Sequence, residues 1–174
     1  KRQFKENHGV NRVFFWNNRN IRRKQGNDVI LAFVKFVELL KEKQGKAFKN
    51  DVALLMHTDP ISEHGADLFA TKKALADDCK IIFSNKKLSQ EHLNFFYNLS
   101  DATINIASNE GFGLLSAESL MAGTPVINNV TGGLQDQLGF YKVTDTEVIS
   151  WLKDDKTPTN HKGTFSVNNY GAWA

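Results

Sequence analysis

The 174 residues contain a single cysteine, Cys79, so no internal disulfide can form. No group of Cys and His residues has the spacing of a zinc site, and His8, His64, His92 and His161 form no metal-binding pattern. This usage fits a reducing compartment, and no bound metal is expected. No apolar run approaches the roughly 20 residues that span a bilayer, and no signal-like apolar block stands near the start. The expected location is the cytoplasm, membrane-peripheral at most in a complete protein. A dominant charge is lacking too: 22 Lys and Arg face 19 Asp and Glu, for a formal net charge of +3, and the two signs are interspersed. Nucleic acid is therefore not an expected partner. Internal sequence repeats and low-complexity tracts are also absent.

What is present is ordinary globular composition, 41% hydrophobic and 24% charged, in a chain long enough for one well-buried domain. Its apolar segments alternate between two periods. "RVFFW" (12–16), "VALLM" (52–56), "KIIF" (80–83), "ATINIA" (102–107) and "PVIN" (from Pro125) read as strands, apolar along their length. Between them, helices are expected from Asn27, which can cap; over about Asp67–Ala76; after the cap residue Ser89; and over about Leu114–Ala122, with Gly123 at the C-terminal stop. Strands alternating with helices in this way predict a doubly wound, Rossmann-like α/β domain with a parallel sheet covered on both faces. Its core would run over about 12–137. A further helix is expected in "DTEVISWLKDD", and the rest of 138–174 is expected to be irregular, with the tail from Lys156 as loop.

Parallel sheets bind ligands beyond the carboxyl ends of their strands. The loops placed there are 17–26, 57–65, 84–88, 108–113 and 128–133. In "SNEGFGLLSAE", a strand ends, two glycines let the backbone approach a ligand, and a helix begins with its free N–H groups facing the crevice, which makes an anion site. Glu110 stands at its mouth, and Glu118, on the second turn, can reach back toward the same crevice. Two readings of the pair stay open: clamps on hydroxyl-rich groups either side of a diphosphate, or an acidic neighbour of a helix start and a solvated helix residue. The basic cluster Arg19, Arg22, Arg23 and Lys24 could neutralise a diphosphate, or could be a solvated loop. His57 ends a strand in the same crevice and is either a ligand contact or structural. Gly132 and Gly133 read as a turn.

The block "EGFGLLSAE", with its E-x7-E spacing, followed by "LMAGTPVI" and "TGG", resembles the C-terminal, donor-binding domain of GT-B-fold glycosyltransferases of the group 1, family 4 type. The resemblance covers about Val13–Gln137. It implies a retaining enzyme that needs no metal or other cofactor and takes its sugar from a nucleotide-diphosphate donor, a UDP-sugar or GDP-sugar, for an acceptor that stays unspecified. It implies that Arg19 and Lys24 hold the donor's diphosphate and that Glu110 lies against the transferred sugar. It further implies that Gly111, Phe112, Gly113 and Leu114 form the backbone segment over sugar and phosphates, that Glu118 takes the ribose hydroxyls, and that Ser84 and Asn85 lie beside the nucleobase. Transfer would pass through front-face displacement, with Glu110 as positioner and electrostatic stabiliser.

Two departures stand out. Where the family has Lys-Gly, this chain has Lys24-Gln25-Gly26, and its second crevice loop reads "MHTDPISEHG", which is not rich in glycine. The chain starts at Lys1 and stops at "NNYGAWA", so it is expected to be one piece of something longer, without the N-terminal acceptor domain. Such a piece would bind a nucleotide sugar weakly and transfer little. The alternative is a non-catalytic nucleotide-sugar binding module.

Overall fold

The computed structural model describes residues 1–138, 141–143 and 165–167. Helix α1 (Arg2–His8) precedes an alternating series: β1 (Arg12–Asn17), α2 (Gly26–Gln44), β2 (Val52–His57), α3 (Leu68–Leu75), β3 (Lys80–Ser84), α4 (Gln90–Leu99), β4 (Ala102–Asn105), α5 (Leu114–Met121), β5 (Val126–Asn128) and α6 (Leu134–Leu138). The five strands form one parallel sheet in the order β3-β2-β1-β4-β5. This is the predicted doubly wound architecture. Chain order reverses between β1 and β4, which makes the loops after those two strands the walls of the switch-point crevice.

Strand periodicity sorts the core. Phe14 and Trp16 of β1 and Leu54 and Met56 of β2 point to one face, where α2 contributes Ile30, Phe33 and Val37 and α3 contributes Leu68. Val13, Phe15, Ala53 and Leu55 point to the other, against Tyr97 and Leu99 of the α4 segment and Leu115 of α5. The sheet is thus buried on both sides, which is why its strands read as continuous apolar runs.

Helix boundaries follow local chemistry. Asp67 accepts from Ala70 N–H at 2.9 Å and Ser89 from His92 N–H at 3.3 Å, capping α3 and α4. Gly123, at φ 70°, lets the chain leave α5. Asn27 is different: it was expected to cap α2, but the helix begins one residue earlier and the Asn27 side chain accepts from Thr71 Oγ1 at 2.9 Å. The physical reason is a turn of 3-10 helix over Arg22–Lys24 that ends in Gln25 in the left-handed conformation (φ 54°) and delivers the backbone straight into Gly26.

Two helices had no strong sequence signal. Every residue of α1 is exposed or half-buried, and it is tied down by charge: Lys5 Nζ donates to Asp101 Oδ2 at 2.6 Å, and the same carboxylate oxygen accepts Val13 N–H at 2.8 Å. Helix α6 is five residues long and anchored by fully buried Leu134. Within the span expected as loop, β7 (Phe165–Val167) pairs in parallel with β6 (Tyr141–Val143). Aromatic and β-branched residues in "YKV" and "FSV" favour extended backbone locally, which the polar composition of the tail masked. The helix expected in "DTEVISWLKDD" lies outside the described residues. No helix among those described is long and apolar enough to cross a membrane.

Candidate functional site

At the switch point, the loop after β1 and the loop after β4 are joined by charge. Lys24 Nζ donates to Glu110 Oε1, and Arg23 Nη1 donates to Glu110 Oε2 at 2.6 Å and to the Asn109 carbonyl at 2.9 Å. Backbone bonding closes the same seam, Ser108 N–H donating to the Arg23 carbonyl at 2.9 Å. Lys24 and Glu110 are buried, 8% and 5% exposed, so the pair sits in a medium where its attraction is strong and where loss of either partner would strand a charge. Gln25 pays for this placement with a left-handed backbone, costing about 1 kcal/mol or more for a non-glycine residue. The extra residue between Lys24 and Gly26 is therefore the one that absorbs the bend.

The first loop is also held from its other side. Asn20, 3% exposed, donates to the Ala66 carbonyl at 2.7 Å and accepts Ala66 N–H at 3.2 Å, while Arg22 N–H donates to the His64 carbonyl at 3.0 Å. A Cβ on Gly65 would fall 2.2 Å from Asn20 Oδ1, so the close approach requires glycine there. The second crevice loop, for all its non-glycine sequence, serves as the wall that positions the basic loop.

Past Glu110 the chain becomes an open cradle of donors. Gly113 (φ 81°) starts α5 without any side-chain cap, and the N–H groups of Gly111 to Leu115 have no acceptor among the described residues. These dipoles and the helix terminus favour an anion. The two glycines read as a turn do more than turn. Gly133 N–H donates to the Glu110 carbonyl at 3.1 Å, and a Cβ on Gly132 or Gly133 would lie 2.0 Å from the carbonyl oxygen of Glu110 or Gly111 respectively. The Thr131–Gly133 loop is thus stacked backbone to backbone on the Glu110 loop, and side chains are excluded by contact.

Glu118 occupies a separate place. Its Oε2 accepts from the Tyr97 hydroxyl at 2.5 Å, and the Tyr97 oxygen accepts from Asn17 Nδ2, at the end of β1, at 2.9 Å. On the far side of the crevice, His57 and Ser84 end the adjacent strands β2 and β3 and are joined, Nδ1 to Oγ, at 3.1 Å. Burial holds the His57 imidazole below its ordinary pKa, partly offset by hydrogen bonding with the Ser84 backbone. Asn85 and Phe112 are exposed, and no cluster of His, Cys, Asp and Glu among the described residues could hold a metal ion.

No protein-family model matches the chain, and no curated protein is similar enough in sequence to match it. Solved structures do match in three dimensions. The E. coli trehalose-6-phosphate structure bound with UDP-2-fluoro glucose is similar at a TM-score of 0.65 and 14% identity, over 79% of this chain and 34% of its own. The trehalose-6-phosphate synthase of Burkholderia multivorans gives 0.63 and 14%, over 79% and 32%. Anabaena HepE in complex with UDP and glucose gives 0.58 and 15%, over 77% and 34%. The five-stranded sheet and its helices have the Rossmann-like fold of one part of these GT-B glycosyltransferases. This chain spans about a third of the length of those GT-B proteins.

Most expected site residues gather at one edge of the sheet. Lys24, Glu110 and the Gly111–Leu114 segment converge, yet the second cation on Glu110 is Arg23, whereas Arg19 is exposed and makes no side-chain hydrogen bond among the described residues. The 3-10 turn is the cause: it places consecutive residues 23 and 24 on the Glu110 side of the loop. Glu118 is engaged from within by Tyr97, a buried residue of α4. A tyrosine in a row of buried positions is the available sequence signal, since a buried hydroxyl needs a partner.

Proposed function

We propose that the switch-point crevice binds a nucleotide-diphosphate sugar and that, in a complete protein, it serves as the donor half of a retaining glycosyltransferase. The observation that carries this reading is the run of free N–H groups from Gly111 to Leu115 flanked by the Lys24–Glu110–Arg23 cluster. A diphosphate fits the N–H groups, and Lys24 and Arg23, with Arg19 and Arg22 on the rim, supply positive charge where the leaving group gains negative charge. The resemblance of the E-x7-E block and the UDP and UDP-sugar bound by the structural neighbours point the same way.

In the reaction, the bond from the anomeric carbon to the diphosphate oxygen breaks, and the acceptor oxygen bonds to that carbon from the same face. The acceptor's proton passes to the departing diphosphate. Glu110, with its oxygens taken by two cations, is a poor nucleophile and a good fixed charge beside an oxocarbenium-like carbon. Glu118 reads hydroxyls of the donor, and Ser84 and Asn85 flank the base.

Titration of the chain with UDP-sugars and GDP-sugars tests the reading. Wild type is expected to bind one class weakly and to transfer little alone; Lys24→Ala should lower affinity on the order of 30-fold, the loss of a charge-assisted contact with the diphosphate, and Glu118→Ala should lower it less. Absence of binding in wild type, or affinity indifferent to both substitutions, rejects the proposal. Binding without transfer even with an acceptor domain supplied would make the chain a binding module.

A further inference from the structure

Glu118 is half-buried, and no Lys, Arg or His pairs with it among the described residues. A carboxylate so placed needs donors, and among the described residues it has a single one, the Tyr97 hydroxyl on Oε2. That hydroxyl is not free to wander. Tyr97 is 2% exposed, its ring meets Phe15 edge-on at 5.2 Å, and its carbonyl accepts from Thr124 Oγ1 at 2.8 Å. The direction of the chain is fixed as well: Asn17 Nδ2 donates into the phenol oxygen, and a carboxylate only accepts, so the phenol proton points at Glu118. Oε1 is left without a hydrogen-bond partner among the described residues.

We propose that Tyr97, braced by Asn17, is a positioning residue that fixes the Glu118 carboxylate as a reader of ligand hydroxyls. The proposal rests on the donor-site reading and deepens it. Without the Tyr97 bond, a glutamate with three rotatable bonds samples other rotamers, and each hydroxyl it binds must first restore the productive one. Held at Oε2, the group presents Oε1 in one place. The phenol stays a donor throughout the working range, since burial and then the bond to Glu118 raise its pKa far above the ordinary tyrosine value.

Calorimetric titration of the intact chain with UDP and GDP and with their 2′,3′-dideoxy counterparts tests this. Wild type should prefer the better-bound ribonucleotide to its dideoxy form by about tenfold, one charge-assisted hydrogen bond's worth. Tyr97→Phe should reduce that preference to under about threefold while leaving affinity for the dideoxy form unchanged, an effect that general loosening of the fold would not give. Asn17→Ala, at a half-buried strand end, should lower the preference in the same direction and decides the matter if Tyr97→Phe does not fold. Retention of the wild-type preference in the folded variants overturns the positioning role, and so does equal loss of both ligands. A wild type that binds neither ligand overturns the donor-site reading and this inference with it.

Discussion

The two sides of the switch point are built from different materials. On the β1–β2 side, α2 and α3 cover Leu54 and Met56 of the sheet with Ile30, Phe33, Val37 and Leu68, all 3% exposed or less. On the β4–β5 side, α5 is seated through polar side chains, of which Thr103, Asn105, Ser116 and Ser119 are as deeply buried and Asn128 is half-buried. Asn105 Nδ2 donates to Ser116 Oγ at 3.0 Å, Ser116 Oγ donates to Asn128 Oδ1 at 3.0 Å, Thr103 and Ser119 share a hydrogen bond at 2.7 Å, and Ser119 donates to the Thr124 carbonyl at 3.1 Å. Apolar packing is non-directional and tolerates small slides of a helix, whereas hydrogen bonds demand one position. The helix whose N-terminus forms the anion cradle is thus the one located by directional bonds. The difference separates what holds the molecule together from what aims its donors.

The contrast can be broken from either side. Leu54→Ala should have the largest effect, about 3 kcal/mol of stability for a fully buried leucine, read as a lower urea midpoint, with nucleotide affinity unchanged in the folded protein. Next comes Gly133→Ala. Its Cβ would meet the Gly111 oxygen at 2.0 Å, so the stacked loops must part, at a cost of about 2 kcal/mol. Here the nucleotide affinity should fall along with stability, which calorimetry on folded protein checks. Ser119→Ala should be mildest, about 1 kcal/mol, because Thr103 can still donate to the Pro125 carbonyl at 3.4 Å. If Ser119→Ala weakens nucleotide binding and Leu54→Ala does not, the division between holding and aiming stands. The reverse pattern would erase it.

Much of this was legible in the chain. The strand runs, the cap residue Ser89 and the stop residue Gly123 marked element type because their signals are local. The crevice loops followed, since a parallel sheet with crossover helices puts alternate loops at one end. The start of α2 was misplaced at Asn27 because the Gln25 backbone conformation is imposed by the contacts of the Lys24 loop, and no propensity announces it. Helix α1 was missed because it buries no side chain fully; Asp101, distant in sequence, holds it.

The motif residues show the same boundary at finer scale. Glu110, Glu118 and the basic cluster stood out by type and spacing, and the resemblance suggested roles for them. Which cation meets Glu110 depends on the 3-10 turn over Arg22–Lys24, and it is Arg23 with Lys24. Which group holds Glu118 depends on α4, packed over β1, lying beside α5, and it is Tyr97. Sequence by itself determined the alternation of strands and helices, hence the parallel sheet and the edge at which ligands would bind, because hydrophobic period and capping act within a few residues. The tertiary structure alone decided the pairings across that edge, because a hydrogen bond or ion pair between residues 80 or more positions apart is set by where separate loops come to rest.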